Sequence, residues 1–126
     1  MSTVLVASAS IHTTAAACDY LAPRLGPEDT VIVLTVVEPG VPDRDAGDAA
    51  NVARARLVEP AVETLVREGD PATIVAAVAD ERAVDELVVG GTRGDPAVAG
   101  EPPGSTVRHL LADARRPVTV LPPPAP

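Results

Sequence analysis

The sequence predicts a Rossmann-like α/β fold, in which a doubly wound parallel sheet of five strands has helices on both faces. Strand and helix patterns alternate along the chain, and regular alternation with helical crossovers is typical of a parallel sheet. Apolar residues make up 46% of the chain and are nearly all Val, Ala and Leu, with one Tyr and no Phe or Trp. Such side chains suit a buried sheet covered by alanine-rich helices. At 126 residues, without an internal repeat, the chain is expected to form one domain over residues 1–126.

The strands are recognised as short apolar runs bounded by turn residues. They are predicted at residues 4–7, 31–37, 62–67, 86–90 and 118–121. The first run is continuously apolar and the second is β-branched almost throughout, as in strands that are covered on both faces. Pro117 opens the last strand, and residues 122–126 form a proline-rich tail.

The helices are recognised by apolar residues at helical spacing and by the signals at their ends. They are predicted at residues 13–25, 48–59, 70–84 and 107–114. Gly26 and Pro27 end the first helix, and Pro60 ends the second. Asp70 and Pro71 begin the third helix, because the carboxylate caps free amides and proline fits the first helical position.

The charge balance excludes several classes of partner. Eighteen acidic residues face ten basic ones, all of them Arg, and the net charge of −8 argues against general binding to nucleic acid or to anionic membranes. The longest apolar run is far shorter than the about 20 residues of a membrane helix. The single cysteine, Cys18, is expected to be a buried structural thiol in a reducing cytoplasm. The acidic, lysine-free composition indicates either a halophilic source or a GC-rich genome.

A glycine-rich segment, GGTRGDPAVAGEPPGST, connects the fourth strand to the last helix. Ligands of open parallel sheets bind beyond the carboxyl ends of the strands, and glycine lets backbone amides approach a ligand closely. Gly104, Ser105 and Thr106 lie where a helix N-terminus favours an anion. The segment is therefore either a phosphate-binding loop or a surface loop in which Ser105 only caps the helix.

The spacing Gly91-x2-Gly94-x9-Gly104-Ser105 resembles the ATP-binding motif of the universal stress protein family. The resemblance covers nearly the whole chain. Its other parts are VLVA at residues 4–7, LTVVEP at 34–39, Gly-Asp-Pro at 69–71, DELVV at 85–89 and RPVTV at 116–120. For the fold, the resemblance implies the strand order 3-2-1-4-5.

For the site, the resemblance implies an adenine nucleotide, expected to be ATP with Mg²⁺ as its companion ion, at the carboxyl end of the sheet. The residues that would hold its phosphates and ribose are Gly91, Gly94, Gly104, Ser105 and Thr106. Val36 would offer its backbone to the adenine, and Arg93 either contacts phosphate or is solvated. The family's first strand usually ends in Asp, where this chain has Ala9, and Ser8 or Ser10 would replace that group as a hydrogen-bonding partner.

Three functions remain open at this stage. The first is a cytoplasmic stress-response regulator that binds ATP without rapid turnover, and the second is a dimerisation or docking module without nucleotide. The third is a slow ATPase or an adenylate-transferring enzyme, although no catalytic residue and no metal site is predicted. His12 is the one titratable group expected near the ligand face, and His109 is expected at the surface. Asp95 and Glu101 would repel phosphate charge.

The resemblance also implies a homodimer. In the implied strand order the last strand, residues 118–121, lies at an edge of the sheet with unpaired backbone groups on its free side. A second copy would pair with this edge antiparallel. The alternative is that Pro117 and Pro122 protect the edge of a monomer.

Overall fold

The fold is given by a computed structural model that describes residues 1–8, 11–37, 46–90, 105–112 and 115–121. Its strands are β1 (Thr3–Ser8), β2 (Thr30–Val37), β3 (Ala61–Glu68), β4 (Glu86–Gly90) and β5 (Val118–Leu121). Its helices are α1 (Ile11–Leu21), α2 (Ala46–Arg56), α3 (Pro71–Glu81) and α4 (Ser105–Ala112). Within the described ranges, no helix is long and apolar enough to cross a membrane.

The five strands form one parallel sheet in the order β3-β2-β1-β4-β5. This confirms the predicted fold class and the strand order that the resemblance implied. β1 is the central strand and pairs with β2 on one side and β4 on the other. The chain thus builds the sheet outward from β1 to β3, and then returns to the far side of β1 to add β4 and β5.

The core consists of two apolar layers, one on each face of the sheet. Successive residues of a strand point to opposite faces, so the continuous apolar runs supply both layers. The layer under α1 and α2 contains Val4, Val6, Val31, Val33, Val88 and Leu121, with Ala17, Cys18, Leu21 and Ala53 from the helices and Leu57 directly after α2. The layer under α3 and α4 contains Leu5, Ile32, Leu34, Leu87 and Val89, with Val75, Val78, Ala79, Val84 and Leu110.

Cys18 is fully buried in the first layer, which confirms the expectation of a structural thiol. Burial, with a smaller contribution from the adjacent Asp19 carboxylate, raises the pKa of the Cys18 thiol to about 11. Because the thiolate is the reactive form of cysteine, this side chain is chemically inert at neutral pH.

Helix α1 ends four residues earlier than predicted. It ends at Leu21, and the carbonyl of Leu21 accepts hydrogen bonds from the amides of Arg24 (2.8 Å) and Leu25 (3.1 Å) in the turn that follows. The reason is Pro23, which has no amide hydrogen to continue the helical ladder and collides with the preceding turn. The side chain of Leu25 still packs against the core from outside the helix.

Helix α3 has well-defined signals at both ends. Asp70 is its N-cap, as predicted, and its carboxylate accepts a hydrogen bond from the amide of Thr73 (3.1 Å). Gly69 precedes this cap with φ +148°, and a Cβ there would lie 3.0 Å from the side chain of Ile74. At the other end, the amide of Val84 bonds to the carbonyl of Ala79 (3.1 Å), and that of Ala83 to Asp80 (3.2 Å). These two bonds form a Schellman motif.

The amino ends of the strands are joined by two aspartates. The carboxylate of Asp29 accepts hydrogen bonds from the amides of Ser2 (2.7 Å) and Gly26 (2.8 Å). The carboxylate of Asp85 accepts one from the amide of Thr3 (2.8 Å). The bonds from Gly26 and Ser2 lower the pKa of Asp29 below its usual 3.8. Backbone amides at this edge are therefore satisfied by the chain itself.

Replacing Ala83 by glycine should stabilise the protein. Ala83 has φ 49° in the position of the Schellman motif that glycine usually occupies, and this conformation brings its Cβ close to the following carbonyl. We expect Ala83→Gly to raise the free energy of unfolding by about 0.5–1 kcal/mol in urea denaturation. The control Ala77→Gly, at an exposed site inside α3, should lower it by about 0.5–1 kcal/mol. A loss of stability in both variants would contradict the assignment.

Replacing Asp29 by asparagine should lower the melting temperature in a pH-dependent way. The folded-state pKa of Asp29 is depressed, so its stabilising contribution is present above the unfolded value of 3.8 and is lost as the pH falls through the folded value. Asp29→Asn should therefore melt below the wild type at pH 7, and the difference should shrink below about pH 4. The exposed neighbour Glu28, replaced by glutamine, should show little change. A difference between Asp29→Asn and wild type that stays constant down to pH 2 would rule out this role of the carboxylate.

Candidate functional site

The carboxyl ends of β1 and β4 lie side by side in the middle of the sheet. Ala7 pairs with Val89, and Ser8 and Gly90 are the last residues of the two strands. After β1 the chain forms α1 on one face, and α4, the helix that follows β4, covers the other face. The two helices that follow these neighbouring strands therefore lie on opposite faces of the sheet. In open parallel sheets, this reversal is where ligands bind.

Val36 lies next to this point, one residue before the end of β2. The amide of Thr30 bonds to the carbonyl of Ser2 (2.9 Å), so every second residue of β2 from Thr30 onward directs its amide and carbonyl toward β1. Val36 belongs to this set, whereas the pairing of β1 with β2 ends at Ser8 and Thr35. The carbonyl of Val36 therefore points past the end of β1. Its side chain is half-buried against the layer under α3 and α4, which fixes the backbone in place.

Helix α4 begins at the same edge of the sheet. It connects β4 to the parallel strand β5, so it runs opposite to both strands and its N-terminus lies at their carboxyl ends. Ser105 and Thr106 are its first two residues, and Leu110 anchors it to the core. The first turn of a helix has amides without intrahelical partners and a partial positive charge, both of which favour an anion.

The N-terminus of α3, at this edge too, already has an anion from its own chain. The amide and the hydroxyl of Thr73 donate hydrogen bonds to the carboxylate of Asp70, at 3.1 and 2.8 Å. These bonds, together with the nearby His109 on α4, lower the pKa of Asp70. The Asp70 carboxylate therefore caps one amide of this turn and places a negative charge where a phosphate would otherwise bind.

The structure describes three of the predicted site residues and brings them to one edge of the sheet. These are Val36, Ser105 and Thr106. The others lie outside the described residues. They are Ser10, Gly91, Arg93, Gly94 and Gly104, together with the two acidic residues Asp95 and Glu101. Of the histidines, His12 is the second residue of α1, and His109 is exposed on α4 as expected.

The proximity of Asp70 and His109 was missed at the level of the sequence. The two residues lie on different helices, and their charges interact only because α3 and α4 cover the same face of the sheet. The signal that would reveal the pair is the strand order, since it places both helices on that face. Among the residues that the structure describes, no group of three or more His, Cys, Asp or Glu side chains is arranged to hold a metal ion.

Comparisons with solved structures show the same fold. A universal stress protein in complex with cAMP has 23% identity and a TM-score of 0.73, with 98% of each chain covered. The protein UspA from Lactobacillus plantarum has 19% identity and a TM-score of 0.67, covering 95% of this chain and 97% of its own. A universal stress protein family protein from Arabidopsis thaliana with AMP bound has 16% identity and a TM-score of 0.67, covering 96% of this chain and 90% of its own.

Comparison of the sequence with protein families identifies the group to which the chain belongs. No curated protein matches the sequence. The model of the universal stress protein family matches residues 42–122, which is more than half of the chain and includes β3, β4, α4 and β5. With the fold shared by the solved structures, this match shows that the chain belongs to the universal stress protein family.

Proposed function

We propose that this chain binds an adenine nucleotide at the carboxyl ends of β1 and β4 and acts as a stress-response regulator that depends on the nucleotide. The observation that carries the proposal is the reversal of the sheet at β1, which brings the Val36 carbonyl and the N-terminus of α4 to one edge. Further support comes from two structural neighbours, one in complex with cAMP and the other with AMP bound.

The two described parts of the site suit the two ends of a nucleotide. The Val36 carbonyl is an acceptor that points past β1, and it would take a hydrogen bond from the adenine amino group. The amides and hydroxyls of Ser105 and Thr106 would hold phosphate and ribose at the positive end of α4. Under this proposal, Ser10, Gly91, Arg93, Gly94 and Gly104 complete the site from the adjoining segments.

The proposed nucleotide is ATP, with Mg²⁺ to neutralise part of its charge. Asp95 and Glu101 lie in the segment between the motif glycines. At about 6 Å and an effective dielectric constant near 20, each carboxylate would oppose each phosphate charge by up to roughly 3 kcal/mol, and less in high salt. This repulsion would weaken the binding of ATP more than that of AMP. Because salt screens the repulsion, the affinity for ATP would increase with salt concentration.

The proposal places the protein in the cytoplasm of a cell with high internal salt. Cys18 is buried and free, as suits a reducing compartment. The net charge of −8, with no lysine, suits a surface that stays hydrated at high ionic strength. We assign no catalytic residue.

The test of the nucleotide site is a pair of glycine variants in the same segment. Gly104→Val adds a side chain where phosphate would approach the backbone, and we expect at least tenfold weaker ATP binding in calorimetric titrations, equivalent to about 1.4 kcal/mol. The control Gly100→Val, at one of the nine unspecified positions of the motif, should bind as the wild type does. Mass spectrometry of nucleotides released from the denatured protein identifies the number of phosphates. Equal affinities in wild type and Gly104→Val would refute the phosphate site.

We also propose a homodimer through β5. The amide of Leu87 bonds to the carbonyl of Pro117 (2.9 Å), so Pro117, Thr119 and Leu121 direct their backbone toward β4, and Val118 and Val120 direct theirs outward. Val118 packs in one core layer and Leu121 in the other, whereas Val120 is exposed. An antiparallel pair of β5 strands from two copies would bury this free edge.

The dimer is tested by removing an outward amide and leaving the bonds to β4 intact. Val120→Pro does this, and proline is tolerated on an edge strand where its nitrogen faces solvent. We expect the wild type to self-associate at micromolar concentration in sedimentation and Val120→Pro to lower the apparent association constant at least tenfold. Val120→Thr, which keeps the amide and the β-branched shape, should associate as the wild type does. A wild type that sediments as a monomer would disprove the dimer.

A further inference from the structure

Strand β3 forms the edge of the sheet opposite β5 and is twice as long. It has eight residues, none of them proline, and among the strands that the structure describes it pairs with β2 alone. The amide of Ala61 bonds to the carbonyl of Asp29 (3.0 Å) and that of Gly69 to Val37 (3.0 Å). The backbone amides and carbonyls of Glu63 and Leu65 therefore face β2 as well. The outward amides and carbonyls are those of Val62, Thr64, Val66 and Glu68.

The side chains of β3 include one acid and one base on the same face of the sheet. Glu63 and Arg67 lie on either side of Leu65, which packs into the layer under α3 and α4. Glu63 forms an ion pair with Arg82 at the end of α3. Arg67 pairs with no carboxylate of the described residues, and its guanidinium donates instead to the outward carbonyl of Val66 (3.1 Å). In the single chain, Arg67 therefore covers part of the free edge.

We propose that β3 is an interface for a second copy of this chain, in which the two β3 strands pair antiparallel about a two-fold axis at Leu65. This register places Glu63 of each copy opposite Arg67 of the other and Leu65 opposite Leu65. It pairs the outward backbone of Thr64 with that of Val66, and Val62 with Glu68, giving about eight hydrogen bonds. The strand is thus complementary to itself in both charge and backbone pattern.

Neighbouring registers lack this complementarity. Residues that lie opposite each other on paired strands point to the same face of the sheet. Because the two-fold axis keeps each residue on the same face in both copies, the partner strand can shift only by two residues at a time. One such shift places Glu63 opposite Leu65, and the other places it opposite Gly69. In both, the carboxylate of Glu63 loses Arg67 as its partner. The charges therefore select the register centred on Leu65.

Exposure and charge both favour a second copy as the partner. The side chain of Val66 is 49% exposed on the other face of the sheet, and pairing would cover it with Thr64 of the copy. Arg67 would release the Val66 carbonyl to a backbone amide and bind a carboxylate instead. The interface is separate from the nucleotide site and from β5, so each of the three proposals can fail without the others.

A register-specific disulfide tests the interface. In the proposed register the two Leu65 residues form a pair without backbone hydrogen bonds, with Cα atoms about 4.5 Å apart, which is within the range of a disulfide. Thr64 of the two copies would be offset by two residues, about 7–8 Å apart. Each cysteine variant is made in the Val120→Pro background, so that β5 does not contribute, and is oxidised with glutathione disulfide. Cys18 does not compete, because it is fully buried.

We expect Leu65→Cys to form covalent dimers at least tenfold faster than the control Thr64→Cys. Equal rates, or no dimer from either variant, would overturn the register. A second measurement does not depend on cysteine: in the same Val120→Pro background, Arg67→Glu should weaken self-association in sedimentation at least fivefold, because the new carboxylate faces Glu63 of the copy. Arg54→Glu, the same charge change at an exposed site on α2, should leave association unchanged. An equal effect of Arg67→Glu and Arg54→Glu would exclude the cross-strand ion pair.

Discussion

The central position of β1 is the constraint on which the rest of the structure depends. β1 pairs with β2 on one side and β4 on the other, and its side chains supply both core layers because helices cover both faces of the sheet. The connections that follow β1 and β4 must then cover opposite faces, since α1 and α2 occupy one and α3 and α4 the other. The helices α1 and α4, which follow the neighbouring strands β1 and β4, therefore lie on opposite faces of the sheet. The same arrangement that buries the sheet therefore creates the candidate site.

The two ends of the strands have different roles in this arrangement. At the amino ends, Asp29 and Asp85 satisfy the backbone amides of the N-terminal segment, so this edge contributes to stability. At the carboxyl ends, the Asp70 carboxylate caps one amide of α3, that of Thr73. The N-terminus of α4 and the carbonyl of Val36 lie at the same edge of the sheet, where we propose that they hold the two ends of one ligand. Nucleotide binding is proposed at the edge where the geometry supplies both an acceptor and a positive helix end.

Much of the fold was predictable because burial on both faces gives continuous apolar runs. β5 begins and ends where the sequence predicts, since Pro117 marks its start. The predicted end of α1 was wrong. The apolar spacing continues to Leu25, but Pro23 prevents the helix from extending that far. The turn at Ala83 gave no signal, because alanine occupies a position where glycine is expected.

The strand order and the site depended on more than local patterns. Alternation indicates a parallel sheet but not the direction in which it winds, so the order came from the resemblance. The resemblance also supplied Val36, because a backbone carbonyl leaves no mark in the sequence. The interaction of Asp70 with His109 joins two helices far apart in the chain. The central claim, that the reversal at β1 forms a nucleotide site, is tested most directly by following the backbone amides of ¹⁵N-labelled protein during an AMP titration. The account predicts saturable shifts at Val37, Gly90, Ser105 and Thr106, whereas shifts confined to the amino ends near Asp29 and Asp85, or none at all, would contradict it.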